Sequence, residues 1–176
     1  MIIGSVSENK ETEKRISITP EIAKKYINLG FEIQLSENYG KHLGFDENDY
    51  KKLGVKFVSD DKKLIDNLDI IIQMNLLDED KTSLLKTNQT FIGVLKPYEN
   101  KNKLSELAKK KINLFSLELL PRITRAQSMD ILSSQANLAG YKAVLESFST
   151  FEKAIPMMMT AAGTISAAKV LVVGAG

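Results

Sequence analysis

Up to about residue 120 the chain alternates short apolar runs with polar stretches of helical spacing. Met1-Ile2-Ile3-Gly4-Ser5-Val6 reads as a strand, followed by a polar loop that runs on to Thr19. Thr19-Pro20-Glu21 is a helix start, with Thr as N-cap and Pro in the first helical position. Ile22, Ala23, Tyr26 and Ile27 then share one face, and Gly30 is the stop. The spacing goes on to predict strands over 31–35, 55–58, 69–74, 90–95 and 112–120. Helices are predicted over 46–53, 60–67, 78–86 and 99–110. The run Asp69-Ile70-Ile71-Ile72-Gln73-Met74 is nearly continuous in apolar residues, as in a strand covered on both faces. Pro121, with no N–H to give a ladder, is expected to end the last strand.

Strand and helix in steady alternation predict an α/β fold with a parallel, doubly wound sheet of the Rossmann or flavodoxin type. From Ser133 the pattern changes to one long helix reaching Phe151, and Pro156 closes that segment. Beyond it, Lys169-Val170-Leu171-Val172-Val173-Gly174-Ala175-Gly176 reads as a fresh strand entering a Gly-x-Gly turn. The expected organisation is a first α/β lobe over 1–132 and a linking helix over 133–155. The start of a second, dinucleotide-binding Rossmann lobe follows over 156–176, and the sequence reads as incomplete within it. A whole fingerprint would need a third glycine, its helix and an acidic residue about 20 positions on.

Composition narrows the classes. Hydrophobic residues make up 43 % and charged residues 26 %, as in ordinary globular proteins. Lys+Arg 24 against Asp+Glu 22 gives +2, too balanced for a nucleic-acid partner, and the Lys109-Lys110-Lys111 cluster reads as a solvated helix end. The absence of cysteine excludes disulfides, thiol catalysis and thiolate metal sites. No apolar segment reaches the roughly 18 residues of a membrane span, and no signal-peptide pattern opens the chain.

Chemistry concentrates in Arg122-Ile123-Thr124-Arg125-Ala126-Gln127-Ser128-Met129-Asp130-Ile131-Leu132-Ser133-Ser134-Gln135. In open α/β sheets ligands bind beyond the carboxyl ends of the strands, the address at which this polar loop is expected. The same Arg and Asp side chains serve equally well to cap the following helix, and the pattern leaves both readings open. Gly174 and Gly176 fit a tight turn and a close approach of backbone to a pyrophosphate. A glycine-rich end without a ligand fits them too.

The block from Pro121 to Val144 resembles one family closely: the NAD(H)-binding component, the alpha subunit or the first portion of it, of proton-translocating NAD(P) transhydrogenase. Pro156-Met157-Met158-Met159-Thr160-Ala161-Ala162-Gly163-Thr164 and Val170 to Gly176 resemble it in the same order. Glu13-Lys14-Arg15-Ile16-Ser17-Ile18-Thr19-Pro20 resembles a segment shared with alanine dehydrogenases. The resemblance implies two Rossmann-like lobes with NAD(H) between them, and hydride transfer to or from NADP(H) on a separate component. It also implies a membrane component that moves protons, a homodimer, and a peripheral place on the cytoplasmic side of the inner or plasma membrane. Carried over by position, Asp130 and Ser133 would hold the nicotinamide carboxamide and Arg122 would lie beside the nicotinamide and its ribose. Gln127 would reach toward the NADP(H) nucleotide, and Gly174 and Gly176 would belong to the NAD(H) phosphate turn. No residue of the chain is expected to act as a catalytic acid or base, and no metal is expected.

The alanine-dehydrogenase pattern is broken at two places. Gln73 stands where a lysine is expected, a departure from the transhydrogenase pattern as well, and Lys96-Pro97-Tyr98 follows the next strand with no histidine. The single histidine, His42, lies among glycines and reads as loop packing. An alanine-type dehydrogenase and a non-catalytic assembly module remain the alternative readings, with Arg15 either a substrate ligand or a structural remnant.

Overall fold

The structure, a computed structural model, describes residues 1–174. The chain divides into two compact units, one from Met1 to Met129 and a second that begins at Asp130.

The first unit alternates β1 (Ile2–Ser5), α1 (Pro20–Asn28), β2 (Glu32–Ser36), α2 (Glu47–Lys51), β3 (Lys56–Val58), α3 (Asp61–Asn67), β4 (Ile70–Asn75), α4 (Glu79–Ser83), β5 (Thr90–Val94), α5 (Lys101–Lys109) and β6 (Asn113–Ser116). The six strands form one sheet in the order β3-β2-β1-β4-β5-β6, every neighbouring pair parallel. This is the 3-2-1-4-5-6 order of the Rossmann fold, not the flavodoxin order 2-1-3-4-5. The order reverses between β1 and β4, so a crevice opens at their carboxyl ends.

Local chemistry explains where helices begin. The Thr19 side chain accepts from the Ile22 N–H, and the Asp46 and Asp60 side chains cap α2 and α3 in the same way. Each sheet face then buries its own core. Ile3, Ile33, Leu35, Ala23, Tyr39 and Tyr50 pack on one side; Ile71, Phe91, Leu64, Ile65 and Leu107 pack on the other. Full burial of each such aliphatic side chain is worth about 1.5–3 kcal/mol, which is what holds the helices on the sheet.

Two predicted elements fall well short of their patterns. The helix expected over 78–86 ends at Ser83, because the Lys86 N–H is taken by the Gln89 side chain at 2.7 Å. The last strand stops at Ser116, well before Pro121, and a 3-10 turn occupies Leu117–Leu119. Glu118 is the cause: its carboxylate accepts the Lys96 N–H at 2.5 Å, the Leu95 N–H at 3.3 Å and the Ser116 hydroxyl at 2.7 Å. The acid thus holds the chain in a turn beside the end of β5, where the apolar pattern alone predicts continued strand.

The second unit contains α6 (Ile131–Thr150) and an antiparallel hairpin of β7 (Met158–Thr160) and β8 (Gly163–Ile165). Lys142 and Glu146 form the exposed i, i+4 pair that their spacing suggests. Residues 169–174, read from sequence as a strand, carry no strand pairing. A parallel strand exists through its ladder with a neighbour, and among the described residues none lies alongside.

Candidate functional site

The segment after the 3-10 turn carries the residues that the sequence singles out. Pro121 to Arg125 are exposed, a 3-10 helix spans Thr124–Met129, and within it only Ala126 is buried. Arg122 and Gln127 lie here, both exposed and both in the first unit. Asp130, Ser133 and Gly174 belong to the second unit.

Asp130 and Ser133 are brought together at the start of α6. Asp130 is its N-cap, with Oδ1 accepting the Ser133 N–H at 3.0 Å and Oδ2 accepting the Ser133 hydroxyl at 2.8 Å. Ser134 turns back to main-chain carbonyls at Asp130 and Ile131. The capping alternative is therefore realised, and it also sets a carboxylate and a hydroxyl side by side. A primary amide has two donor hydrogens and an acceptor oxygen, so a carboxylate beside a hydroxyl is a chemically matched partner for it. Gly174 has φ 88°, a left-handed conformation that suits glycine in a tight turn. Gly176, the second glycine of that turn, lies outside the described residues.

A feature that sequence reading missed is the crevice at the strand-order reversal. A cavity of about 760 Å³ lies at the carboxyl ends of β1, β4 and β5, lined among others by Glu8, Glu13, Arg15, Gln73 and Lys96. Its floor is a buried polar network. The Gln73 carbonyl accepts from the Ser5 hydroxyl and from the Val6 N–H at 3.1 Å, while its amide donates to the Val6 carbonyl at 3.1 Å. Gln73 thereby closes an extra rung between β4 and β1 beyond their last backbone pairing. Tyr39 reaches the same network, accepting from the Ser17 and Ile18 N–H groups and donating to the Ser5 hydroxyl. Burial raises the Glu8 carboxyl above its ordinary range, against the lowering effect of hydrogen bonds from the Met74 and Asn75 N–H groups. His42 contacts the Lys14 carbonyl at 2.7 Å from a 3-10 turn flanked by Gly40 and Gly44, a packing role.

Arg15 is committed to Glu13. Its guanidinium donates to Oε1 at 2.8 Å and to Oε2 at 2.6 Å, and Asn75 adds a bond at 3.2 Å. The Arg15 bonds hold the Glu13 carboxyl down at about 2, against the opposing effect of burial. In the unfolded chain a Glu titrates at about 4.3. Because the folded value is the lower one, the stabilisation is complete above about 4.3 and is lost as pH falls toward 2. Arg15 is half-exposed, so solvent screening limits the effect to about 1–2 kcal/mol. Urea unfolding at pH 5 and pH 2.5 measures it: the stability difference should shrink by that amount in Glu13→Gln, and an unchanged pH slope would show that the pair contributes nothing.

The family described as alanine dehydrogenase/PNT, N-terminal domain, matches residues 4–139. Over 180 residues the chain is 42 % identical to the first portion of NAD(P) transhydrogenase subunit alpha from Rickettsia prowazekii (strain Madrid E), covering 100 % of this chain and 47 % of that one. The crystal structure of transhydrogenase from Sinorhizobium meliloti superposes with a TM-score of 0.89 at 36 % identity, over 96 % of this chain and 50 % of that one. Alanine dehydrogenase 1 of Staphylococcus aureus (strain Mu50 / ATCC 700699) is more distant, 24 % identical over 145 residues, 82 % of this chain and 38 % of that one. The chain spans about half the length of the curated relatives it matches first.

Proposed function

The chain belongs to the alanine dehydrogenase/PNT family by its N-terminal domain, and from that premise we propose that it is the NAD(H)-side portion of a proton-translocating NAD(P) transhydrogenase. The observation that carries this reading is the match to transhydrogenase alpha subunits along the whole chain, at markedly higher identity than to alanine dehydrogenase. In this reading NAD(H) lies on this component and NADP(H) on a partner, and a membrane component couples hydride transfer to proton movement. The protein acts as a homodimer at the cytoplasmic side of the membrane, and the proton path belongs to its partners. Among the described residues no helix is long and apolar enough to cross a membrane.

Hydride transfer takes no acid or base from the protein, because the reacting atoms belong to the two cofactors. The protein's task is to orient one nicotinamide against the other and exclude water. Asp130 accepts from the carboxamide NH₂ and Ser133 bonds its other face. Arg122 lies beside the nicotinamide and ribose, and Gln127 reaches toward NADP(H). Residues 133–155 link the lobe over 1–132 to a dinucleotide-binding lobe starting at 156, in which Gly174 and Gly176 form the phosphate turn. The alanine-dehydrogenase alternative is disfavoured by Gln73, whose amide is spent on the strand floor and offers no cation to a substrate carboxylate.

The assembled complex tests this directly. NADH oxidation should depend on added NADP⁺ or an NADP⁺ analogue, and L-alanine should produce no NADH. Alanine-dependent NADH formation, or no transfer between the two nucleotides, would overturn the proposal.

A further inference from the structure

Glu118 lies at the root of the segment that leads to Arg122, and no motif in the sequence marks it. It is a lone carboxylate within an apolar run, and it accepts three hydrogen bonds that tie the ends of β5 and β6 together. Oε1 takes the Lys96 N–H at 2.5 Å; Oε2 takes the Leu95 N–H at 3.3 Å and the Ser116 hydroxyl at 2.7 Å. The first two donors lie just past β5, the third at the end of β6. Lys96 has φ 47°, a left-handed conformation uncommon for a residue with a side chain, so this corner is held against backbone strain. Burial opposes the charge on Glu118, yet the bonds from the Ser116 hydroxyl, from its own N–H and from the Lys96 and Leu95 N–H groups together outweigh it and keep the carboxyl below its ordinary range.

Downstream, the chain runs over the surface. The Leu120 N–H bonds the Leu117 carbonyl, closing the 3-10 turn that Glu118 occupies, and the Ile123 N–H bonds the Pro121 carbonyl. Pro121 to Arg125 are exposed, and the next buried residue is Ala126. At its root the segment is held through Glu118, which fixes the direction in which it leaves the sheet. We infer that Glu118 is a positioning residue for the Arg122 and Gln127 loop: it sets the angle at which that loop leaves the sheet, and through it the placement of the nicotinamide. This rests on the proposed role of Arg122 and Gln127, since Glu118 acts only through the loop that carries them.

The test uses the assembled transhydrogenase with four variants. Glu118→Ala should slow single-turnover hydride transfer about tenfold to a hundredfold, the loss typical of a small misplacement of reacting groups, with NADH affinity changed less than about threefold. Glu118→Gln keeps a carbonyl for the Lys96 N–H, and its amide can donate to the Ser116 oxygen; only the longest bond, from the Leu95 N–H at 3.3 Å, is lost, so it should restore most of the rate. Gln89→Ala supplies the control for mere destabilisation. It removes buried bonds to the Ile65 and Leu68 carbonyls in the same sheet unit, and it should lower the melting temperature without slowing transfer. Amide hydrogen exchange over residues 120–129 should speed up in Glu118→Ala, recover in Glu118→Gln and stay unchanged in Gln89→Ala. If exchange and transfer in Glu118→Ala match the wild type, or if Gln89→Ala slows transfer as much, the positioning role is refuted. Arg122→Ala separates the two layers. A normal transfer rate in that variant overturns the underlying reading, whereas a slow Arg122→Ala beside a normal Glu118→Ala overturns only the inference about Glu118.

Discussion

Asp130→Asn in the assembled enzyme should slow hydride transfer about tenfold to a hundredfold while leaving NADH affinity within about threefold of wild type. The substitution is informative because it spares the helix. Asn is as good an N-cap as Asp, so the bond from the Ser133 N–H survives and α6 keeps its start. What changes is the second oxygen. In the wild type Oδ2 accepts the Ser133 hydroxyl hydrogen; in the variant an NH₂ takes that place, and the hydroxyl must turn to accept. A carboxamide NH₂ arriving there meets donors where it needs acceptors. Losing a hydrogen bond to a charged group costs about 1.5–3 kcal/mol, which corresponds to the stated range. On the proposed function, the loss should fall on ring placement and not on nucleotide affinity. Single-turnover kinetics beside a binding titration separates the two effects. A large affinity loss with an unchanged transfer rate would show that Asp130 anchors the nucleotide and does not orient its ring. Asp130→Ala should add a stability loss of about 1 kcal/mol, because there the cap itself is gone.

The second large effect is expected at Gly4. In β1 it is paired with Gln34 on one side and Ile71 on the other. A Cβ built there would lie 2.3 Å from the Gln34 carbonyl oxygen and 2.5 Å from the Leu68 side chain. The first of these is backbone of the neighbouring strand and Leu68 is buried, so neither can step aside cheaply. Gly4→Ala should therefore destabilise the first unit by about 3 kcal/mol or more, the upper end of overpacking costs. Urea unfolding followed by circular dichroism reads this directly, and a loss below about 1 kcal/mol would mean the strands are not so close. Gly4 precedes Ser5 and Val6, the partners of Gln73. Any shift of β1 thus also opens the floor of the crevice at the strand-order reversal.

The contrast between these two positions shows what kind of information the chain carries on its surface. Thr19-Pro20 and the acids at 46 and 60 announce their helices locally, and the structure places all three as helix starts. The buried run at 69–74 announces a strand covered on both faces, and β4 lies at the centre of the sheet with β1 and β5 beside it. The Asp130 and Ser133 pair was legible because three positions of spacing bring two side chains onto one turn of a helix. Gly4 reads in sequence only as a small residue in an apolar run; the neighbour it accommodates comes from thirty positions away.

Glu118 and Gln73 belong to the same class. Glu118 ends a strand through donors 22 and 23 residues earlier in the chain, and Gln73 bonds Ser5 and Val6 across separations of 68 and 67. Periodicity, caps and turn residues act over a few positions, so sequence by itself determined the order and type of the strands and helices of the first unit and the polar segment that follows the sheet; it did not determine the hairpin over 158–165 or the unpaired state of 169–174. Tertiary structure alone decided the strand order, the crevice where it reverses, and the places where pattern and strand diverge. Those depend on which distant groups satisfy each buried donor and acceptor, and a linear pattern does not specify that pairing.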